Sequence, residues 1–171
     1  MDKDRYLALF IEALEAIKQP RFFDSERGYQ GELLAELRNR IDGAGLPGER
    51  IVEQEYQKTI PAHGLRIRPD IIIHIPFGRG VTKSRKVGNF VAIELKRRAS
   101  EKQARAAFEN LRHIKEAINY PLTVFLNIDS ANPHAELCPG SIAAQTVCVA
   151  VRLENGNPVI RAQSHNTGLA V

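Results

Sequence analysis

Two apolar segments carry the residues best suited to chemistry. RPDIIIHIP, residues 68–76, holds Asp70, and NFVAIELKRRAS, residues 89–100, holds Glu94 and Lys96. Alternate side chains of an extended strand share a face, so Glu94 and Lys96 project together, roughly 6–7 Å apart along the chain. The connecting PFGRGVTKSRKVG is rich in turn residues, which lets the Asp70 strand fold back as an antiparallel neighbour of the Glu94 strand. Asp70 then meets Glu94 across the ladder. Ile71, Ile72, Ile73, Val91, Ala92, Ile93 and Leu95 make both runs apolar on both faces, as in strands central to a sheet, where a charge needs a reason. Two carboxylates in such a place repel one another and lose hydration unless a cation joins them. A divalent metal resolves the conflict. The plainer alternative, a surface ion pair between Glu94 and Lys96, suits a half-exposed strand and contributes little.

Other metal chemistries have less support. His63, His74, His113, His134 and His165 show no H-x-x-x-H or H-E-x-x-H spacing, and Cys138 and Cys148 lack C-x-x-C pairing. The cysteines read as reduced, packed thiols. Any metal would be a hard one held by oxygen. Charge is unevenly spread: residues 61–120 carry 13 Lys and Arg against 5 Asp and Glu, whereas residues 1–60 carry 9 against 12. The segment bearing Asp70, Glu94 and Lys96 is therefore also the one that concentrates positive potential, as a polyanion-binding surface requires.

The elements that must position these residues follow from periodicity. Leu7, Phe10, Ile11, Leu14 and Ile17 recur at helical spacing over residues 4–18, ending at Pro20. A second helix is predicted from about Tyr29 to Ile41, with Tyr29, Leu33, Leu37 and Ile41 inward, ending at DGAGLPG. RIVEQEYQKTI, LRIRPDIIIHIP and GNFVAIELKRR then read as strands. Ser100 and Gln103 form a capping box that opens a helix with Ala104, Ala107, Phe108, Leu111, Ile114 and Ile118 on its apolar face. LTVFLNID is a strand covered on both faces, and its position directly after that helix predicts a parallel strand pair. TVCVAVRLE and PVIRAQ flank Asn155-Gly156, a hairpin signal. The chain of 171 residues is read as one α/β domain: a mixed central sheet flanked by helices in the order ααβββαβββ.

Arg68 to Asp70 as RPD, then Glu94 to Lys96 as ELK, then a helix, resembles the PD-(D/E)XK nuclease superfamily. The resemblance spans residues 25–130, where the elements follow that superfamily's restriction-endonuclease-like αβββαβ core; the first helix and the C-terminal hairpin are additions. It implies a Mg2+-dependent nuclease, with Mn2+ able to substitute, that hydrolyses phosphodiester bonds of nucleic acid, DNA before RNA, through a metal-activated water. Asp70 and Glu94 match the metal-binding carboxylates, the Leu95 main-chain carbonyl a further ligand, and Lys96 the lysine that orients the attacking water. The family often adds a glutamate from the helix before the sheet, for which Glu32 is the choice. Glu36 lies on the same flank of the helix, so geometry alone does not separate the two. Glu55 is a third candidate, although Glu53, Glu55 and Gln57 alternate as a polar strand face would.

Lys83, Arg85, Lys86, Arg97 and Arg98 are the expected contacts to the nucleic-acid backbone. Gln103 is the corresponding helix glutamine, with the capping box as its more economical role. No recognition helix, zinc finger or aromatic stacking platform is apparent, so no base-sequence preference is predicted. The competing readings are a catalytically silent nucleic-acid-binding module on the same fold and a partner-docking module. The first helix and the C-terminal hairpin offer surfaces for a homodimer or larger complex. No apolar run reaches the roughly 20 residues of a membrane span and the N-terminus opens with acids, so the expected location is cytoplasmic.

Overall fold

The apolar period shortens from helical spacing to near-continuous runs after Ile41, and the structure changes type at that point. The structure is a computed structural model that describes residues 3–44, 50–54, 68–76 and 87–164. Three helices come first: α1 (Lys3–Ala16), α2 (Pro20–Phe23) and α3 (Glu26–Gly43). Next come β1 (Ile51–Gln54), β2 (Ile71–His74) and β3 (Asn89–Arg97). The long helix α4 (Glu101–Ile118) leads into β4 (Leu122–Ile128). A 3-10 turn (Ala135–Leu137) and the short α5 (Gly140–Ala143) connect to β5 (Thr146–Glu154) and β6 (Asn157–Ser164).

The six strands form one sheet in sequential order, β1 to β6. Strands β1, β2 and β3 pair antiparallel, β3–β4 and β4–β5 pair parallel, and β5–β6 is an antiparallel hairpin. The hairpin turns at Asn155 and Gly156, with φ of 51° and 78°, as a two-residue loop matched to strand twist requires. On one sheet face α1 and α3 bury Tyr6, Phe10, Leu14, Leu33 and Leu37 against Ile73, Ile93, Leu95 and Val124. On the other face α4 buries Phe108, Leu111 and Ile114 against Ile72, Ala92 and Phe125. The helix face predicted for α4 is the one that is buried. The result is a mixed α/β sheet between two helical layers.

Three differences from the predicted order have local causes. Pro20 starts α2 as well as ending the helical pattern before it, because a proline without an N–H is suited to the first helical position. Helix α3 begins at Glu26, a turn earlier than Tyr29, because the Ser25 hydroxyl caps it by accepting from the Gly28 N–H at 3.0 Å. The β4–β5 connection also contains two short helical turns, which bury Ala135 and Ile142 and pack Leu137 against the core. Among the described residues no helix is long and apolar enough to cross a membrane.

Candidate functional site

Strand register brings Asp70 and Glu94 together. Ile71 pairs with Ile93 in the antiparallel β2–β3 ladder, so Asp70, one residue before β2, stands opposite Glu94. Strand β3 runs on past the end of β2, leaving Leu95 two residues beyond the last β2–β3 pair. The Leu95 N–H donates to Asp70 Oδ2 at 2.7 Å instead of to a strand neighbour. The Leu95 carbonyl oxygen accepts from the Lys96 ammonium. Asp70, Glu94, Leu95 and Lys96 thus occupy one end of the sheet, the end toward which the parallel strands β3 and β4 run. Open α/β sheets place ligands outside the carboxyl ends of their strands.

Helix α3 closes this corner through two residues one helical turn apart. Glu26 Oε1 accepts from Lys96 Nζ at 3.1 Å, and Glu26 Oε2 accepts from the Arg97 N–H at 3.2 Å. Gln30, four residues on and so on the same flank, is buried and donates from Nε2 to the Asp70 carbonyl oxygen at 2.7 Å. Glu26, rather than Glu32, is therefore the helix glutamate in contact with Lys96. Glu32 is half-buried and lies six residues further on, about 9 Å along the helix axis. Glu36 is held by Arg40. The N-cap signal at Ser25 was the clue to Glu26: it moves the helix start upstream and places an acid in the first turn, where the helix dipole favours it. Glu55, Lys83, Arg85 and Lys86 lie outside the described residues.

The electrostatics of the corner are unbalanced. Glu94 is only 4% exposed. Burial, reinforced by the charge of Asp70, pushes its carboxyl well above the usual glutamate range; Lys96 opposes the shift and Glu26 adds to it. Burial would lower the Lys96 ammonium, but Asp70, Glu26 and Glu94 outweigh it and hold the ammonium above its ordinary value. Among the described residues Glu94 Oε1 is buried with no hydrogen-bond partner. A carboxylate oxygen left in that condition costs free energy that a bound cation would recover. Two carboxylates and a main-chain carbonyl are the hard oxygen donors that Mg2+ or Mn2+ takes. These residues therefore fit such an ion, although among the described residues no three His, Cys, Asp or Glu side chains converge as a ready-made cage.

Beyond Lys96 the chain makes a tight turn into α4. Arg98 and Asp129, each one residue past the end of a parallel strand, both adopt left-handed backbone, with φ of 48° and 56°. Asp129 Oδ2 accepts from Arg97 at 2.9 Å and from Arg98 Nε at 2.8 Å, and Arg97 Nε also donates to the Phe23 carbonyl at 2.6 Å. Such backbone persists where surrounding bonds over-determine it. The next residue is gripped at both of its peptide groups. The Ala99 N–H donates to Asn127 Oδ1 at 2.9 Å, and the Ala99 carbonyl accepts from His134 Nε2 at 2.9 Å. Asn127 Nδ2 in turn donates to the Asn132 carbonyl at 2.8 Å. Asn127 and His134, missed in the sequence, are 0% and 6% exposed. Gln103 completes the capping box: its Oε1 accepts from the Ser100 N–H at 2.9 Å, while its own N–H donates to the Ser100 hydroxyl at 3.4 Å.

No protein-family model matches the chain, and comparison with characterised proteins and with solved structures likewise returns no match.

Proposed function

We propose that the chain is a metal-dependent nuclease with a restriction-endonuclease-like core, hydrolysing phosphodiester bonds of nucleic acid, DNA in the first instance. The observation that carries this is the buried, unpartnered Glu94 Oε1 beside Asp70 at the end of the sheet. Support also comes from the order α3-β1-β2-β3-α4-β4 among the described residues, which parallels the αβββαβ core of the PD-(D/E)XK superfamily that RPD and ELK resemble. Asp70, Glu94 and the Leu95 carbonyl would hold Mg2+. The ion would supply Lewis acidity toward a phosphate oxygen and toward water.

The chain's own groups do the rest. Lys96 brings a fixed ammonium to the same corner, where it orients a water and offsets charge building on the phosphate. Glu26 holds that ammonium from α3, and Gln30 fixes the Asp70 main chain. Arg98, the more exposed of the two arginines beyond Lys96, is available to a phosphate of the backbone, a contact that positions without reading sequence. Asp129 already orients its guanidinium.

The test is incubation of the purified chain with linear, circular and single-stranded DNA and with RNA, in Mg2+, in Mn2+ and in EDTA. Cleavage is expected with either ion, absent in EDTA, and lost in Asp70→Ala, Glu94→Ala and Lys96→Ala. Cleavage that survives all three substitutions overturns the proposal. Salt-sensitive binding with no turnover in any condition would assign the chain to the non-catalytic alternative.

A further inference from the structure

The Leu95 carbonyl accepts from Lys96 and, on the proposed function, would also be a ligand for the cation. A main-chain carbonyl of a strand normally pays its hydrogen bond into the ladder, but Leu95 lies past the last β2–β3 pair, so this oxygen faces the corner. An ammonium has three donors and no acceptor. Two of the Lys96 donors go to Leu95 O and Glu26 Oε1. The charges of Asp70, Glu26 and Glu94 all favour this ammonium.

Glu26 is committed to donors on β3. One oxygen accepts from Lys96 Nζ at 3.1 Å and the other from the Arg97 N–H at 3.2 Å. Among the described residues Glu26 does not join Asp70 and Glu94 in a three-carboxylate group able to hold an ion. Its geometry suits it to receive the ammonium when the ammonium leaves the carbonyl.

We propose that Lys96 is the resident cation of this site, competing with the divalent ion for the Leu95 carbonyl, and that Glu26 is a positioning residue that draws Lys96 aside and does not bind the ion. This rests on the reading of Asp70 and Glu94 as metal ligands. A charge removed from within a few ångströms of a divalent cation in a partly buried site changes affinity by about tenfold or more. Lys96→Met therefore tightens metal binding even though it abolishes turnover. Glu26→Gln weakens binding severalfold, because an ammonium without its anionic acceptor stays on the carbonyl; the glutamine oxygen still serves the Arg97 N–H.

The experiment is calorimetric titration of the full chain with Mn2+ in a double-mutant cycle: wild type, Lys96→Met, Glu26→Gln and the double variant. Lys96→Gln, also neutral, repeats the first arm, and far-UV circular dichroism with a melt checks that each variant folds. The expected result is at least tenfold tighter binding in both Lys96 variants, and a Glu26→Gln effect that disappears once Lys96 is gone. Binding by wild type with no gain in either folded Lys96 variant overturns the competition. An equal loss from Glu26→Gln in both backgrounds means that Glu26 acts on the ion independently of Lys96, as a ligand or through its charge, and overturns its positioning role. No Mn2+ binding in any of the four proteins overturns the metal reading along with this proposal.

Discussion

Two clusters of polar side chains sit at the same end of the sheet, one strand apart, and they are built on opposite principles. Around Ala99, the buried Asn127 and His134 meet main-chain partners at 2.8–2.9 Å. Around Leu95, Glu94 keeps a buried oxygen without a partner among the described residues, and like charges crowd it. The two are joined by the turn from Arg97 to Ser100. A satisfied network rigidifies a fold, whereas a half-satisfied one costs stability unless something else completes it. On the proposed function, the first cluster is the frame and the second is the working site.

Glu94→Gln gives the largest effect and tests the contrast most severely. Cation-dependent cleavage is expected to fall by about 10³-fold, while resistance to urea at neutral pH rises. The pH dependence has a definite sign. The folded-state carboxyl titrates above its ordinary value of 4.5, so the folded chain holds this proton more tightly than the unfolded one does. The term is absent below the ordinary value, destabilises increasingly as pH rises above it, and reaches its full size once pH passes the folded value. In EDTA, Glu94→Gln should therefore be more stable than wild type at a pH of about 8 and equal to it at about 3.5. A urea midpoint lowered at both pH values would place Glu94 with the frame and erase the distinction.

Asn127→Ala should act in the opposite sense. It strips partners from the buried Ala99 N–H and the Asn132 carbonyl, at a cost of about 3 kcal/mol, read as a lower urea midpoint at unchanged slope. A loss under about 1 kcal/mol would mean that water replaces the amide and that the turn is held elsewhere.

Ser100→Ala is the smallest change and sharpens the boundary between frame and site. Losing the cap should cost about 1 kcal/mol and lower Tm by about 2–4 °C. Gln103→Ala should also lower Tm, and on the proposed function it should leave nucleic-acid affinity unchanged, because its Oε1 is engaged with Ser100. Weaker nucleic-acid binding by folded Gln103→Ala at constant salt would return that residue to the nucleic-acid interface.

Several features were legible because their signals are local. The Ser100–Gln103 box, the apolar face of α4, the continuous burial of β4 and the Asn155–Gly156 turn each depend on residues within a few positions of one another. The opposition of Asp70 and Glu94 was legible for a related reason, since turn residues between two apolar strands favour antiparallel pairing and pairing fixes which residues face each other. Glu26, which stood outside the candidates Glu32, Glu36 and Glu55, shows where such reading stops. A helix start shifted by three residues changes which acid reaches a strand that lies 70 residues away in the chain.

The sequence by itself determined the three long helices, the strands and the placing of two carboxylates and a lysine at one sheet end, because period, capping and turn chemistry act between near neighbours. Only the tertiary structure decided what those groups touch. It set Glu26 on Lys96, Gln30 on the Asp70 main chain, and Asn127 and His134 on Ala99, across 28 and 35 residues in the last two cases. Hydrogen bonds between distant segments depend on how whole layers dock, and side-chain type alone does not encode that docking.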